Sequence, residues 1–352
     1  MVLPEDSRLI LLNCGTLAAG FRPHFYFSFL IVYHFAPMTS IRGPSFQLVD
    51  QIDAEQLQRD GGFGARTRPL LVKGALRNWQ AQQSWSFEQM AALRYKDGSE
   101  PQVKFQNGLV EQGQTRHRPV MPVGPYLQEL AALAKQALPD DVGLLPDRRR
   151  RQLAAGERFF LDWPHMQSFQ PDRMYLAQWN ILDEFPALRH DFSIKDLWPG
   201  WRWTWEYVFM GPANTVTGLH YDFPHNWFCQ VRGSKEFILF PPEQTQHMCI
   251  SAKYDWGAIL SDINISQLDR QPDKLKEFEK TQGLYARVEA GDALFIPKRT
   301  WHAVVALEPS ISLGVFGLTA PEVLFGGVPN EIKNVFHKMH LYRWGNCTCH
   351  KF

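Results

Sequence analysis

Between residues 157 and 320 the chain breaks into short apolar runs punctuated by Pro, Gly and Asp, and this spacing constrains the fold more than any other feature. "RFFLDW", "RMYLAQWNI", "WRWTWEYVFMG", "NWFCQVRG", "KEFILFPP", "YARVEAGDALFIP", "HAVVAL" and "SISLGVFGL" are eight candidate strands. Several alternate apolar with polar residues, and many are rich in aromatic and β-branched side chains, as half-buried strands should be. Short strands at this density predict an antiparallel sandwich or barrel. Hydrophobic residues make up 45% of the chain and aromatics 13%, enough for a sizeable core, so a disordered or fibrous chain is excluded.

The flanks read differently. "DAEQLQRD" is a short helix opened by Asp53, and "TRPLLVKGAL" (67–76) is a buried strand bounded by Pro69 and Gly74. "SWSFEQMAALRYKDG" is a helix capped by Ser86 and ended by Gly98. "VGPYLQELAALAKQAL" (123–138) is another, with Leu127, Leu130, Leu133 and Ala134 sharing a face. After the strands, "PNEIKNVFHKMHLYRW" sets Ile332, Val335, Phe336 and Met339 at helical spacing behind a cap at Asn330. The expected divisions are an extension at 1–37, an α/β region packing on the barrel at 38–157, the barrel at 158–320, and a C-terminal helix and tail at 321–352. The apolar run in "HFYFSFLIVYHFAP" (24–37) is far shorter than the ~20 residues that cross a bilayer, so no membrane partner is expected.

A net charge of +1 gives no general electrostatic case for nucleic acid. Arg148 to Arg151 is the local exception, read first as a solvated run and second as a phosphate patch. Five scattered cysteines do not form a secreted disulfide framework and point to a reducing, intracellular compartment, cytoplasm or nucleus. "CTCHK" sets Cys347, Cys349 and His350 close enough to share a metal. It lacks a second ligand cluster and the usual two-residue gap between cysteines, so a frayed tail is expected there.

"TGLHYDFPHN" (217–226) carries the chemistry. His220 and Asp222 stand at i and i+2, so on a strand both side chains leave the same face and can reach one ion. Two ligands hold iron poorly, and "EAGDALFIPKRTWHAV" offers a third in His302, with enough intervening strands to bring it back beside the pair. Two histidines and one carboxylate on one face of an octahedron are the arrangement of non-haem Fe(II) oxygenases. His-x-Asp alone is common, and His225 and His247 are further histidines that could be ligands or surface groups.

"TVTGLHYDFPHNWFCQVRGSKEFILFPPEQ" followed by "GDALFIPKRTWHAV" resembles the JmjC family of Fe(II)- and 2-oxoglutarate-dependent dioxygenases, most closely the small hydroxylase branch typified by the asparaginyl hydroxylase of hypoxia-inducible factor. The likeness runs over about residues 160–320, and "RPLLVKGALRNWQA" (68–81) resembles what precedes the barrel in that branch. It implies a mainly β fold: a double-stranded β-helix (jelly-roll, cupin-like) barrel with helical additions at both ends. It implies His220, Asp222 and His302 as iron ligands, and Lys235, Thr217 and Tyr175 as contacts to the distal carboxylate of 2-oxoglutarate. Asn226 matches an asparagine lining the site. One departure is that the branch often carries an asparagine near iron on the last barrel strand, where "ISLGVFGL" offers Phe316 or Gly317.

The resemblance implies an enzyme that uses Fe(II), 2-oxoglutarate and O2 to hydroxylate a C–H bond, releasing succinate and CO2. A protein side chain is the first substrate class. The alternatives are a modified RNA nucleoside, lysine demethylation, and a catalytically inactive cupin-like binding module. "WPGWRWTWEYVF" places Trp201, Trp203 and Trp205 on one strand face, read first as core and second as an aromatic wall for substrate. The C-terminal helix is read either as a homodimer element, as in the resembled branch, or as a cover for the barrel end.

Overall fold

The structure, a computed structural model, describes residues 44–64, 66–107, 109–110, 119–136, 159–160, 174–194, 197 and 200–349. The extension at 1–37, the arginine run at 148–151, most of "RFFLDW" and His350 lie outside the described residues. Eight antiparallel core strands follow in order: β1 (Trp203–Gly211), β2 (Val216–Asp222), β3 (His225–Arg232), β4 (Lys235–Phe240), β5 (Gln282–Val288), β6 (Ala293–Ile296), β7 (Trp301–Ala306) and β8 (Ser310–Leu318). One sheet runs β2-β7-β4-β5 and the other β6-β3-β8-β1. First pairs with last, second with second-last, and so inward, which is the jelly-roll pattern expected.

Earlier segments extend both sheets. Ser45–Leu48 lies parallel to β5, Leu70–Lys73 antiparallel to β6, and Met174–Trp179 against β1. "YARVEAGDALFIP" holds two strands, with Gly291 (φ 99) and Asp292 making the expected turn between β5 and β6.

Three apolar layers follow from strand alternation. Between the sheets lie Phe228, Phe237, Leu239, Val288 and Leu294. Outside the β4 sheet, Ile238, Phe240, Trp301, Ala303 and Val305 pack with Phe278 and Ile263. Outside the other, Val208, Met210, Trp227 and Val315 pack against the N-terminal helices. β4 is therefore buried at every position, which is why its "FILF" reads as a continuous apolar run instead of an alternating one, with Lys235 and Glu236 buried before it.

The helices are shorter than their sequence patterns suggest. Helix α1 (Ala54–Arg59) begins as expected, with the Asp53 carboxylate accepting from Glu55 N–H at 2.7 Å. Helix α2 (Phe87–Ala91) has a full Ser86–Gln89 capping box but stops well before Gly98, which serves a separate turn linking Tyr95 and Ser99. Helix α3 (Val123–Leu133) buries Leu127 and Leu130 but leaves Ala134 exposed.

Asn330 is no cap. Helical structure already begins at Ala320, where Thr319 and Glu322 form a capping box, and runs on into α4 (Val328–Lys338). Nor does the apolar face of α4 cover the barrel. Asn334 and His337 are its buried residues, while Ile332, Val335, Phe336 and Met339 are 50, 52, 45 and 59% exposed. The tail does not fray up to Cys349. Cys347 and Thr348 are buried, and Tyr254 exchanges backbone hydrogen bonds with Asn346 and Thr348 at 2.9 and 3.0 Å. Among the described residues no helix is long and apolar enough to cross a membrane.

Candidate metal centre and co-substrate pocket

The 82-residue gap between His220 and His302 closes through one strand pair. β2 and β7 are antiparallel neighbours, and their register sets the two histidines directly opposite each other. The rings lie 4.2 Å apart between centroids. Asp222 bridges them, with one carboxylate oxygen 3.9 Å from His220 Nε2 and the other 3.8 Å from His302 Nε2. One ligand atom from each of the three lies within 4.8 Å of the others, a group that can hold a metal ion.

Backbone carbonyls orient both rings. His220 Nδ1 lies 2.7 Å from Gly218 O, and His302 Nδ1 lies 2.9 Å from Thr300 O. A carbonyl only accepts, so each Nδ1 carries the proton and each Nε2 presents its lone pair to the shared point. Metal-bound histidines are commonly held this way. Burial pushes the Asp222 carboxyl up to about 6, with His302 opposing the shift and Asp255 adding to it. Burial also holds His302 down at about 4, helped by His220. Both groups resist charging by themselves; a divalent cation would favour the Asp222 carboxylate and reinforce the neutral His302 imidazole.

A second polar cluster lies deeper in the barrel. Lys235, the first residue of β4, is 1% exposed. Its ammonium donates to the Tyr175 hydroxyl at 3.4 Å and sits 5.2 Å from the Phe228 ring centroid and 5.9 Å from that of Phe209. Tyr175 is in turn hydrogen-bonded to Thr217. Burial alone brings the Lys235 ammonium down to about 7, and among the described residues no carboxylate pairs with it. Asn226 is buried opposite Phe316 and Ile296, and its Oδ1 has no hydrogen-bond partner among the described residues. A buried cation and an orphaned amide oxygen ask for a polar ligand.

Thr217 reaches this cluster because β2 is irregular. In a regular strand a residue three before His220 would face away from it. The β2–β7 register shifts between Thr217 and His220, so Thr217 meets Tyr175 while Leu219 packs into the outer core. The extra residue of a bulge reverses side-chain parity.

Of the two candidates on β8, Phe316 lines the chamber, stacked on Trp205 (13° between planes) and edge-on to Tyr207. Gly317 instead backs onto the Trp201 ring, which leaves no room for a side chain. The three tryptophans therefore divide: Trp201 is core, while Trp203, 50% exposed, and Trp205 continue the aromatic wall. Tyr207, Phe209 and Phe228 were not among the residues expected at the site. The signal for Tyr207 and Phe209 was the alternation Trp205-Tyr207-Phe209 on one face of β1; Phe228 lies on β3, two residues after Asn226.

The remaining histidines belong elsewhere. His225 accepts from Lys298 N–H through Nδ1 and pairs with Glu322 through Nε2 at 3.0 Å, pinning the start of the C-terminal helical run. His247 pairs with Glu277.

Residues 62–316 match the family described as a cupin-like domain. The chain is 34% identical over 152 residues to Jumonji C domain-containing protein 5 of Drosophila melanogaster, covering 40% of this chain and 35% of that one. It is 30% identical over 205 residues to lysine-specific demethylase JMJ30 of Arabidopsis thaliana, covering 56% and 46%. It is 29% identical over 137 residues to tRNA wybutosine-synthesizing protein 5 of Danio rerio, covering 39% and 40%. The chain thus spans less than half the length of each of these relatives. The matched residues run from just before the Leu70–Lys73 strand into β8 and take in His220, Asp222, Lys235 and His302. This chain belongs to the cupin-like domain family and, within it, to the JmjC proteins.

Proposed function

We propose that the protein is an Fe(II)- and 2-oxoglutarate-dependent oxygenase that hydroxylates a C–H bond on a protein side chain. One observation carries this: a buried ammonium, Lys235, with no carboxylate partner among the described residues, lies in the same barrel as a His220–Asp222–His302 group aimed at one point. His220, Asp222 and His302 would hold the iron. Lys235, Tyr175 and Thr217 would receive the distal carboxylate of 2-oxoglutarate, and Asn226 would line the same pocket. When bound, iron and co-substrate supply an oxidant from O2, with succinate and CO2 as by-products.

The chain's own part is placement and exclusion of water. Carbonyl-fixed imidazoles keep the ligand geometry without reorganisation, and Lys235 orients a dianion by point-charge attraction. Phe209, Phe228 and Phe316 keep the chamber apolar, and the Trp203–Trp205–Tyr207 wall gives a substrate a surface beside it. Phe316, where an asparagine often stands in the resembled branch, withdraws one polar contact and favours a substrate that presents an apolar or aromatic surface.

A second reading, oxidation of a modified nucleoside in RNA, is favoured by the half-exposed Trp203 ring, since aromatic platforms stack bases. Substrate-stimulated 2-oxoglutarate turnover with peptide pools and with tRNA pools separates the two. Mass spectrometry should find a gain of one oxygen on peptides, whereas oxygen added only to RNA would replace the protein-substrate assignment. Loss of methyl groups from histone peptides would instead mark a demethylase. The exposed apolar face of α4 is proposed as a homodimer contact.

A further inference from the structure

Among the described residues, a second cluster of metal-ligating side chains lies in the C-terminal region and shares no residue with the His220–Asp222–His302 group. His337 faces inward from α4, and the chain then doubles back so that Cys347 and Cys349 meet it. One donor atom from each lies within 4.8 Å of the others, and His337 Nε2 is 3.2 Å from Cys349 Sγ. His337 Nδ1 donates to Tyr342 O at 2.7 Å, so its Nε2 lone pair is the one turned towards sulfur. The carbonyl-fixed tautomer seen at His220 and His302 thus recurs here with sulfur donors.

We propose that His337, Cys347 and Cys349 form a structural site for a soft divalent cation, Zn2+ by its ligand chemistry. Thiolate and imidazole select zinc over the hard, oxygen-liganded cations, and a tetrahedral Zn2+ holds its ligand atoms about 3.5–3.8 Å apart. The 3.2 Å between His337 Nε2 and Cys349 Sγ and the 4.8 Å bound on the other pairs bracket that geometry. Cys347 and Cys349 alternate about Thr348, so an extended segment sends both sulfurs to one side and Thr348 to the other. Thr348 does point away, donating its hydroxyl to Asp255. Binding would deprotonate both thiols and release about two protons, leaving the fourth corner for water or another side chain.

The site closes a clamp. Tyr254 packs its ring against His337, tilted by 40° with centroids 4.4 Å apart, donates its hydroxyl to Asn334, and exchanges backbone hydrogen bonds with Asn346 and Thr348. A few residues later Ala258–Leu260 pairs with β2, setting Ala258 opposite Asp222 and Leu260 opposite His220. A cation between α4 and the tail therefore fixes the segment that flanks the iron ligands.

Elemental analysis of the full chain, purified and equilibrated with equimolar Zn2+, tests this. The expected result is one zinc per chain that survives in His220→Ala but is lost in the Cys347→Ser/Cys349→Ser double variant and weakened at least tenfold in His337→Gln. Cobalt(II) reconstitution of the unaltered chain does not depend on variants folding. It should give intense thiolate-to-cobalt charge-transfer absorption, which the sulfur-free triad cannot produce. No zinc retained, equal zinc in the double variant, or a cobalt spectrum without that band would overturn the proposal.

Discussion

Lys235 is the residue at which burial bears most directly on the proposed co-substrate site. Its ammonium sits among Phe209, Phe228 and Tyr175, where desolvation lowers its pKa to about 7 from an ordinary 10.5. The ammonium form is what a dianion needs. Apparent 2-oxoglutarate affinity should therefore weaken above pH 7, by up to about tenfold per unit. Folding stability should move the opposite way, rising from pH 7 towards 10.5, because there the unfolded chain holds the extra proton. Isothermal titration at several pH values checks the first trend and chemical denaturation the second. Lys235→Ala should raise the 2-oxoglutarate requirement at least tenfold, since loss of a buried charge partner costs about 2–5 kcal/mol, and should flatten the pH dependence. An unchanged requirement would assign the carboxylate to another cation. The resemblance pointed to this lysine. Its burial and lack of a carboxylate partner were not legible, because both depend on which strands close around it.

Among elements, β2 explains what could and could not be read from the chain. The i, i+2 pair His220 and Asp222 needs only a strand's two-residue period, so its shared face was predictable. Thr217 breaks that period and reaches Tyr175 only through the register shift against β7, a tertiary feature with no local marker in "VTGLHYD". The helix ends failed for a related reason. Gly98 and Asn330 carried the right residue types for caps, but α2 ends earlier, at Ala92, and the C-terminal run is capped by Thr319–Glu322. The β3–β4 turn gives a sharper test. Gly233 has φ +69, and a side chain there would run into the Pro309 carbonyl. Gly233→Ala should lower unfolding free energy by about 1–3 kcal/mol, measured by urea denaturation. A neutral result would mean that the β8 end yields freely.

At the size of the whole chain, an antiparallel sandwich or barrel was legible from strand density and patterning, because such folds demand many short, half-buried strands, and the resemblance narrowed it to a jelly roll. The contribution of residues 45–73 to both sheets was not legible, since parallel and edge pairings leave no spacing signature. The same limit hid the use of α4, whose apolar positions were visible but whose inward residues prove to be Asn334 and His337. With Ile332, Val335, Phe336 and Met339 turned outward beside Leu324 and Phe325, the C-terminal region presents an apolar surface that a monomer rarely leaves uncovered. Light scattering should give twice the 40.7 kDa chain mass, falling to one chain in Ile332→Asp/Phe336→Asp. A monomer in the unaltered protein would leave this face to a different partner.

Anaerobic titration of the purified chain with Fe(II) and 2-oxoglutarate, followed by the visible charge-transfer band of a chelated keto acid, reaches the iron and its co-substrate together. One iron per chain should give the band in the unaltered protein. The band should vanish in Asp222→Ala and His302→Ala, and in Lys235→Ala it should return only at raised 2-oxoglutarate. An unaltered band in His302→Ala would mean that β7 brings its histidine beside β2 for some purpose other than holding iron.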